Sequence, residues 1–362
     1  MRRTDSTSSR SARGTFRSGR TCTTRNVPRV ERFDAVVIGG GVIGLACAWR
    51  ARQRGLDVVV LERGSPGGGA TQAAAGVLAP DPETPGFTAL ARRSAELWPD
   101  MAAELGDVGY TRCGSIAVAF ENETPDLDGE WLDRDAVLAL EPGISRECVG
   151  GVLLEDDASV DPRRVVRALC SELGEAVRGG TDVVGLTPQD VELADGAHVG
   201  AERVVLAAGA WASRRLVRRL GIRPVKGQTL RLRGPVPATR IIRSEHVYVV
   251  PRASGETVVG ATVEEAGFDE SVSGAATAEL LACATRALPA VAGLELVEAS
   301  VGLRPGTPDG GPLIGEWEGL LVAGGHFRNG VLLAPITAEA VAALLVGEEP
   351  PAEVEPFSPG RL

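Results

Sequence analysis

Asp34-Ala-Val-Val-Ile38, followed at once by Gly39-Gly-Gly-Val-Ile-Gly44, is the stretch whose reading decides the fold. The apolar run is a short buried strand, and the glycines that interrupt it fall at the spacing G-x-G-x-x-G. In that pattern Gly39 permits a tight turn and Gly41 lets backbone approach a pyrophosphate, while Gly44 lets a helix pack on the strand. The helix runs to about Arg54 and stops at Gly55, a residue suited to a left-handed C-terminal cap. Its first N–H groups, at Val42 and Ile43, offer partial positive charge to phosphates. A second strand, Asp57 to Leu61, ends in Glu62, 18 residues after Gly44 and placed to accept hydrogen bonds from a ribose. A glycine-rich turn without a ligand is the bland reading. Strand, helix and acid together favour dinucleotide binding.

The next stretch bears on which dinucleotide. Gly67-Gly-Gly-Ala-Thr-Gln-Ala-Ala-Ala-Gly-Val-Leu-Ala-Pro80 consists almost wholly of small residues. Such side chains let backbone lie close against a flat, bulky group, and Thr71 can hydrogen-bond a phosphate. A flavin nucleotide needs a second cradle of this kind. A flexible linker is the competing reading, and Val77 and Leu78 argue against it.

Composition narrows the remaining classes. The 362 residues are 44% hydrophobic, enough for about two domains with a large core. Residues 1–32 carry nine Arg against Asp5 and Glu31; a chain at −10 with a tail at +7 leaves −17 on the rest. An acidic body argues against nucleic acid as partner, since phosphate binding draws on clustered cations. No two of the six cysteines form a C-x-x-C pair and the three histidines lie near none of them. A zinc site or disulfide framework is therefore not expected, and reduced thiols in a cytoplasm fit best. The longest apolar run, Val331 to Val346, contains Pro335 and Glu339, is too short for a bilayer span and reads as a buried helix. The Arg- and Ser-rich tail has transit-peptide composition, but a disordered extension, or a start placed too far upstream, is the favoured reading.

Further along, Leu90, Leu97 and Leu105 mark a helix. Ser115 to Phe120 is a strand followed by an acidic loop, and Asp161-Pro162 opens a helix to about Leu173. Thr181 to Leu186 and Val191 to Leu193 suit a hairpin. Arg203 to Trp211 is a buried strand breaking at Gly209, of the kind that returns to a dinucleotide-binding sheet. Thr229 to Leu232, Val247 to Val250 and Thr257 to Gly260 are strand-like, with a helix at roughly Ala275 to Leu288. A strand at Leu320 to Ala323 and the turn Gly324 to Gly330 lead into the last helix, and there is no internal repeat. The expected fold class is α/β. A discontinuous Rossmann-like FAD-binding domain (33–85, 151–222 and 301–347) is joined to a second, sheet-rich α+β substrate domain (86–150 and 223–300). A basic tail (1–32) precedes them and a C-terminal tail (348–362) follows.

Several motifs in combination carry a family resemblance. Gly39 to Gly44, Glu62-Arg63, Ala70 to Pro80, Arg203 to Trp211, Pro224 to Gln228 and Val247 to Arg252 are joined by Gly260 to Asp269, Gly302-Leu-Arg-Pro305 and Gly325 to Gly330. Together they resemble the glycine oxidases of the ThiO type, within the D-amino-acid oxidase group of flavoproteins, from Phe33 to about Gly347. The resemblance implies Arg304 as the fork that grips a substrate carboxylate, Tyr248 as its hydroxyl partner and Arg328 as a second cation. For FAD it implies Gly39, Gly41, Val42, Ile43, Gly44, Glu62 and Arg63; the cradle positions Ala70, Thr71, Ala75, Gly76 and Val77; Val183 at the adenine; and Gly209. It adds the turn His326, Phe327, Arg328, Asn329, Gly330, Val331 and Leu332, whose N–H groups would face the flavin.

No signature for covalent flavin attachment is present, so the FAD is expected to be noncovalent. The reaction implied is oxidation of glycine to the imine, hydrolysed to glyoxylate and ammonia, with O2 reduced to peroxide, in thiamine thiazole synthesis. His198 is expected to be solvated, and neither His246 nor His326 is given a proton-transfer role; Cys47 is packing. The expected partners are a small amino acid and O2, with neither nucleic acid, membrane nor metal, and a homo-oligomer is compatible with the chain. The alternatives are another D-amino-acid or sarcosine oxidase or dehydrogenase, an NAD-linked dehydrogenase, and a non-catalytic flavin-binding module.

Overall fold

The β-α-β unit forms as β1 (Glu31–Ile38), α1 (Val42–Gln53) and β2 (Val58–Leu61) in the computed structural model, which describes residues 31–81 and 86–362. β1 pairs in parallel with β2 on one side and with His198–Leu206 on the other, so Ala35 to Val37 lose all contact with water. That double coverage explains a continuous apolar run without alternation. α1 is buried on nearly every side, from Val42 to Trp49, because it packs on the sheet and also against Ala334–Leu345 and Pro162–Leu173. Its C-terminus ends at Gly55 with φ 85°.

Among the described residues the strands form two eight-stranded sheets and a two-stranded one. The first runs Leu313–Trp317, Leu320–Gly324, His198–Leu206, β1, β2, Val177–Arg178, with the hairpin Val183–Thr187/Asp190–Leu193 attached to His198–Leu206. The second runs Glu295–Gly306, Arg223–Arg233, Glu256–Gly260, Tyr248–Pro251, Ile241–Arg243, Ser115–Ala119, Gly150–Leu154, Glu130–Asp133 and is antiparallel apart from the pair Ile241–Arg243/Ser115–Ala119. One of its faces packs through Leu230, Val249 and Val259 on the helix Gly274–Ala287. The opposite face turns toward the first sheet.

Four readings of the sequence change. Glu31 and Arg32, assigned to the tail, belong to β1, where they pair with Val199 and Gly200; the expected disorder of the rest of the tail lies outside the described residues. The acidic loop after Phe120 contains the edge strand Glu130–Asp133 and the helix Arg134–Leu140. A four-residue edge strand with only Leu132 half-buried shows no alternation, and the cap that starts the helix, Ala136 N–H donating to Asp133 at 2.9 Å, lies in an acid-rich stretch where one Asp does not stand out. Gly150–Leu154 and Glu295–Gly306 belong to the second sheet, so segments given to the first domain from 151 and from 301 begin in strands of the other sheet. The C-terminal tail is docked: Val354 and Phe357 are buried, and Phe357 meets Phe87 edge-on at 6.5 Å.

Candidate active site

A cavity of about 420 Å3 lies between the two sheets. The C-terminal end of β1 and the start of α1 form one wall, with Gly39, Gly41, Val42 and Ile43 lining it. Gly44 does not line the cavity. A side chain there would overlap the Gly39 carbonyl, so its glycine is required for packing α1 on β1. Glu62 and Arg63 follow β2 into the cavity wall. The Glu62 carboxylate accepts from Gly40 N–H at 2.7 Å and from Gly64 N–H at 2.8 Å, which fixes its orientation. Val183 and Gly209 line the same part, and Arg63 stacks on Trp211 at 5.0 Å.

The small-residue stretch forms a second wall. Ala70, Thr71, Ala75, Gly76 and Val77 all line it. Thr71 Oγ1 accepts from Val42 N–H at 3.2 Å, so it caps α1 where the N-cap residue, Gly41, has no side chain. The turn His326 to Val331 supplies the third wall; its last predicted member, Leu332, is buried behind it, with its carbonyl accepting from Ser94 Oγ and Trp98 Nε1. Phe327 takes φ 44° and its N–H donates to the Pro305 carbonyl at 3.0 Å, which ties the turn to the strand bearing Arg304. His326 is enclosed against Thr337 Oγ1 at 3.0 Å, and burial lowers its pKa to about 3, so the imidazole is neutral. Arg328 is exposed at the rim.

The second sheet provides the remaining wall, where Tyr248 and Arg304, 56 residues apart in the chain, come together from two strands of one sheet. Tyr248 stands opposite Gly260, and Arg304 lies two residues beyond Gly302 on the edge strand, itself opposite Gly227. The Arg304 guanidinium lies flat over Gly227, where any side chain would collide with it, and Nη1 donates to the Thr262 carbonyl at 3.0 Å. Burial raises the Tyr248 hydroxyl pKa, while Arg304 and Arg328 pull it the other way.

Sequence reasoning missed a charged group on the same wall. Arg243 stands opposite Tyr248 across a strand pair, with Asp81 on one side and Asp157 on the other at 3.3 Å. Burial raises the Asp157 pKa to about 6. Nothing local signals this cluster, because Asp81 and Asp157 reach Arg243 from loops 162 and 86 residues away in the chain. His246 and His198 are exposed and outside the cavity, and Cys47 is fully buried, its thiol pKa driven up by desolvation. Among the described residues no helix is long and apolar enough to cross a membrane.

The model of the FAD dependent oxidoreductase (DAO) family matches residues 34–344. The chain belongs to that family. Among its relatives, the glycine oxidase of Bacillus licheniformis is 35% identical, over 91% of this chain and 98% of that protein. The bifunctional protein ThiO/ThiG of Trichormus variabilis is 36% identical over 87% of this chain; the match spans about half (53%) of that longer protein. The crystal structure of glycine oxidase from Geobacillus kaustophilus superposes with a TM-score of 0.85 at 31% identity, covering 92% of this chain and all of that one. The FAD-dependent oxidoreductase fold thus agrees with an α/β unit joined to a second sheet. The walls also fit the cofactor chemically: a helix N-terminus, a fixed carboxylate, and a wall of alanine and glycine in which Gly302 leaves no room for a Cβ against Ala70 and Ala73.

Proposed function

We propose that this FAD-dependent oxidoreductase deaminates glycine, or a similarly small amino acid, with FAD held noncovalently. Overall, glycine, O2 and water give glyoxylate, ammonia and H2O2, and the imine formed on the way serves thiamine thiazole formation. One observation carries the reading: a guanidinium laid flat over Gly227 beside the Tyr248 hydroxyl on a cavity wall. Its planar fork matches a carboxylate bidentately, and the exposed Arg328 adds a second cation. Because burial keeps the Tyr248 hydroxyl protonated, it donates to the carboxylate.

Gly39, Gly41, Val42 and Ile43 would hold the pyrophosphate, Glu62 and Arg63 the ribose side, and Val183 and Gly209 the adenosine half. The wall 70–77 and the turn 326–331 would hold the flavin. Bound FAD supplies the hydride acceptor. The protein's own task is positioning, and no side-chain base is needed: His326 is neutral and engaged with Thr337. Five described cysteines are unpaired, which suits a reducing cytoplasm.

The test is anaerobic flavin bleaching in Arg304→Ala. Removing a charge-assisted bidentate contact worth about 2–4 kcal/mol lowers kcat/KM for glycine by roughly 30- to 1000-fold with FAD retained. Arg304→Lys also fails, since an ammonium cannot copy the fork. For an amine without a carboxylate the loss shrinks sharply. Near-normal glycine turnover in flavin-loaded Arg304→Ala refutes the assignment and passes the role to Arg328.

A further inference from the structure

The wall at 70–77 has an outer side, and that side is built from charge. Four successive carbonyls, Gln72 to Ala75, accept hydrogen bonds from side chains of other elements. Arg163 Nε donates to the Gln72 carbonyl at 3.1 Å, and Arg231 Nη2 donates to the same oxygen at 3.2 Å and to that of Ala74 at 3.5 Å. Thr229 Oγ1 donates to the Ala73 carbonyl at 2.9 Å and Arg252 Nη2 to that of Ala75 at 3.0 Å.

Each guanidinium is held in turn by a carboxylate. Arg163 grips Glu298 bidentately at 2.9 and 2.6 Å, and Arg231 meets Glu256 at 2.7 Å. Arg252 lies 3.2 Å from both Asp161 and Glu256. Arg231 is only 2% exposed, and none of the three arginines lines the cavity. Burying guanidinium groups costs free energy that alkyl side chains filling the same space would not incur. A wall that had only to fill space would have apolar backing.

The geometry shows what the charge does. In a trans peptide the C=O and the following N–H point in opposite directions. Carbonyls 72–75 turned outward therefore turn the next amides toward the cavity that Ala73 to Gly76 line. The Ala74 N–H is taken by the Thr71 carbonyl at 3.3 Å and Ala73 is the last residue of the short helix Ala70–Ala73, so beyond that helix Ala75 and Gly76 are the inward donors.

We infer that Arg163, Arg231 and Arg252, with Thr229, are positioning residues that aim the Ala75 and Gly76 amides at the flavin ring and so set how tightly FAD is held. The inference rests on reading 70–77 as the flavin wall. The test compares full-length holoenzymes of the native chain, Arg231→Met, Arg231→Lys and Thr229→Val. Flavin release on dilution is read by fluorescence, the flavin absorption bands by spectroscopy, and exchange of the Ala75 and Gly76 amides by hydrogen–deuterium measurements. Arg231→Met weakens FAD binding about 10- to 100-fold, the range for loss of a buried charged hydrogen bond. It also shifts the flavin bands and speeds exchange at both amides. Arg231→Lys recovers part of each effect, and Thr229→Val shows a smaller change of the same kind. If Arg231→Met does not fold, Thr229→Val decides through exchange of the Ala75 and Gly76 amides, because Thr229 itself lines the cavity and could touch FAD directly. Native-like FAD retention, bands and exchange in the variants that fold overturn the inference while leaving the wall assignment intact. If the two amides of the native holoenzyme exchange as fast as an exposed loop, the wall reading fails, and the inference with it.

Discussion

Gly227→Ala is the sharpest perturbation available, because it leaves every proposed contact group in place and moves only one of them. The Gly227 backbone is in a region open to any L-residue, so alanine adds no conformational strain there. Its methyl, however, would sit well under 3.0 Å from Cζ and both terminal nitrogens of Arg304, whereas ordinary contact begins at 3.4 Å. The guanidinium must lift by about 1 Å. A misplacement of that size costs on the order of 100-fold in rate, or about 2.7 kcal/mol of transition-state stabilisation. Anaerobic stopped-flow bleaching of the flavin by glycine should show that loss, with FAD content and melting temperature close to native. The effect travels through Arg304, so Gly227→Ala adds little once Arg304→Ala is present, and a double-mutant cycle measures this directly. An undiminished kcat/KM in Gly227→Ala, or full additivity with Arg304→Ala, would refute the claim that Gly227 exists to seat that guanidinium.

Gly76 takes φ 78° and a Cβ there would overlap the Val160 carbonyl, so Gly76→Ala should displace the wall and yield protein that loses its flavin on gel filtration; retention of stoichiometric FAD counts against it. His326 has a folded pKa of about 3 against 6.5 unfolded, so below pH 6.5 the unfolded chain binds the extra proton and stability falls as pH drops. Denaturant unfolding should show the native enzyme losing about 2 kcal/mol more than His326→Gln between pH 7 and pH 5; equal losses contradict a buried neutral imidazole. Phe357→Ala should cost about 3–4 kcal/mol by opening a cavity beside Phe87, measured as a lowered urea midpoint, and an unchanged midpoint means the C-terminal segment is not docked.

The strand–glycine–helix unit was legible because its determinants are local. A β-branched run, glycines at fixed spacing and an acid at the end of the next strand act over a few residues, and each element lies within three positions of the pattern that marks it. The capped helix Pro162–Leu173 and the hairpin before His198 were legible for the same reason, since a cap or a tight turn is satisfied by its own neighbours. The strand Glu130–Asp133 was not. It is a four-residue strand at a sheet edge with only Leu132 half-buried, too little for a period of two to show.

By itself the sequence determined that a dinucleotide fold lies here, where its glycine turn is, and which small residues form a second wall. Those features depend on backbone shape within single segments, which residue size and spacing encode. Only the tertiary structure decided that Arg304 lies over Gly227, that Arg243 stands opposite Tyr248 between two carboxylates, and that Leu332 and Gly44 fall behind the walls rather than on them. It alone also brought Arg163, Arg231 and Arg252 behind residues 72–75. Those relations arise from strand register and from packing between separate segments, for which no local pattern of the chain carries a signal.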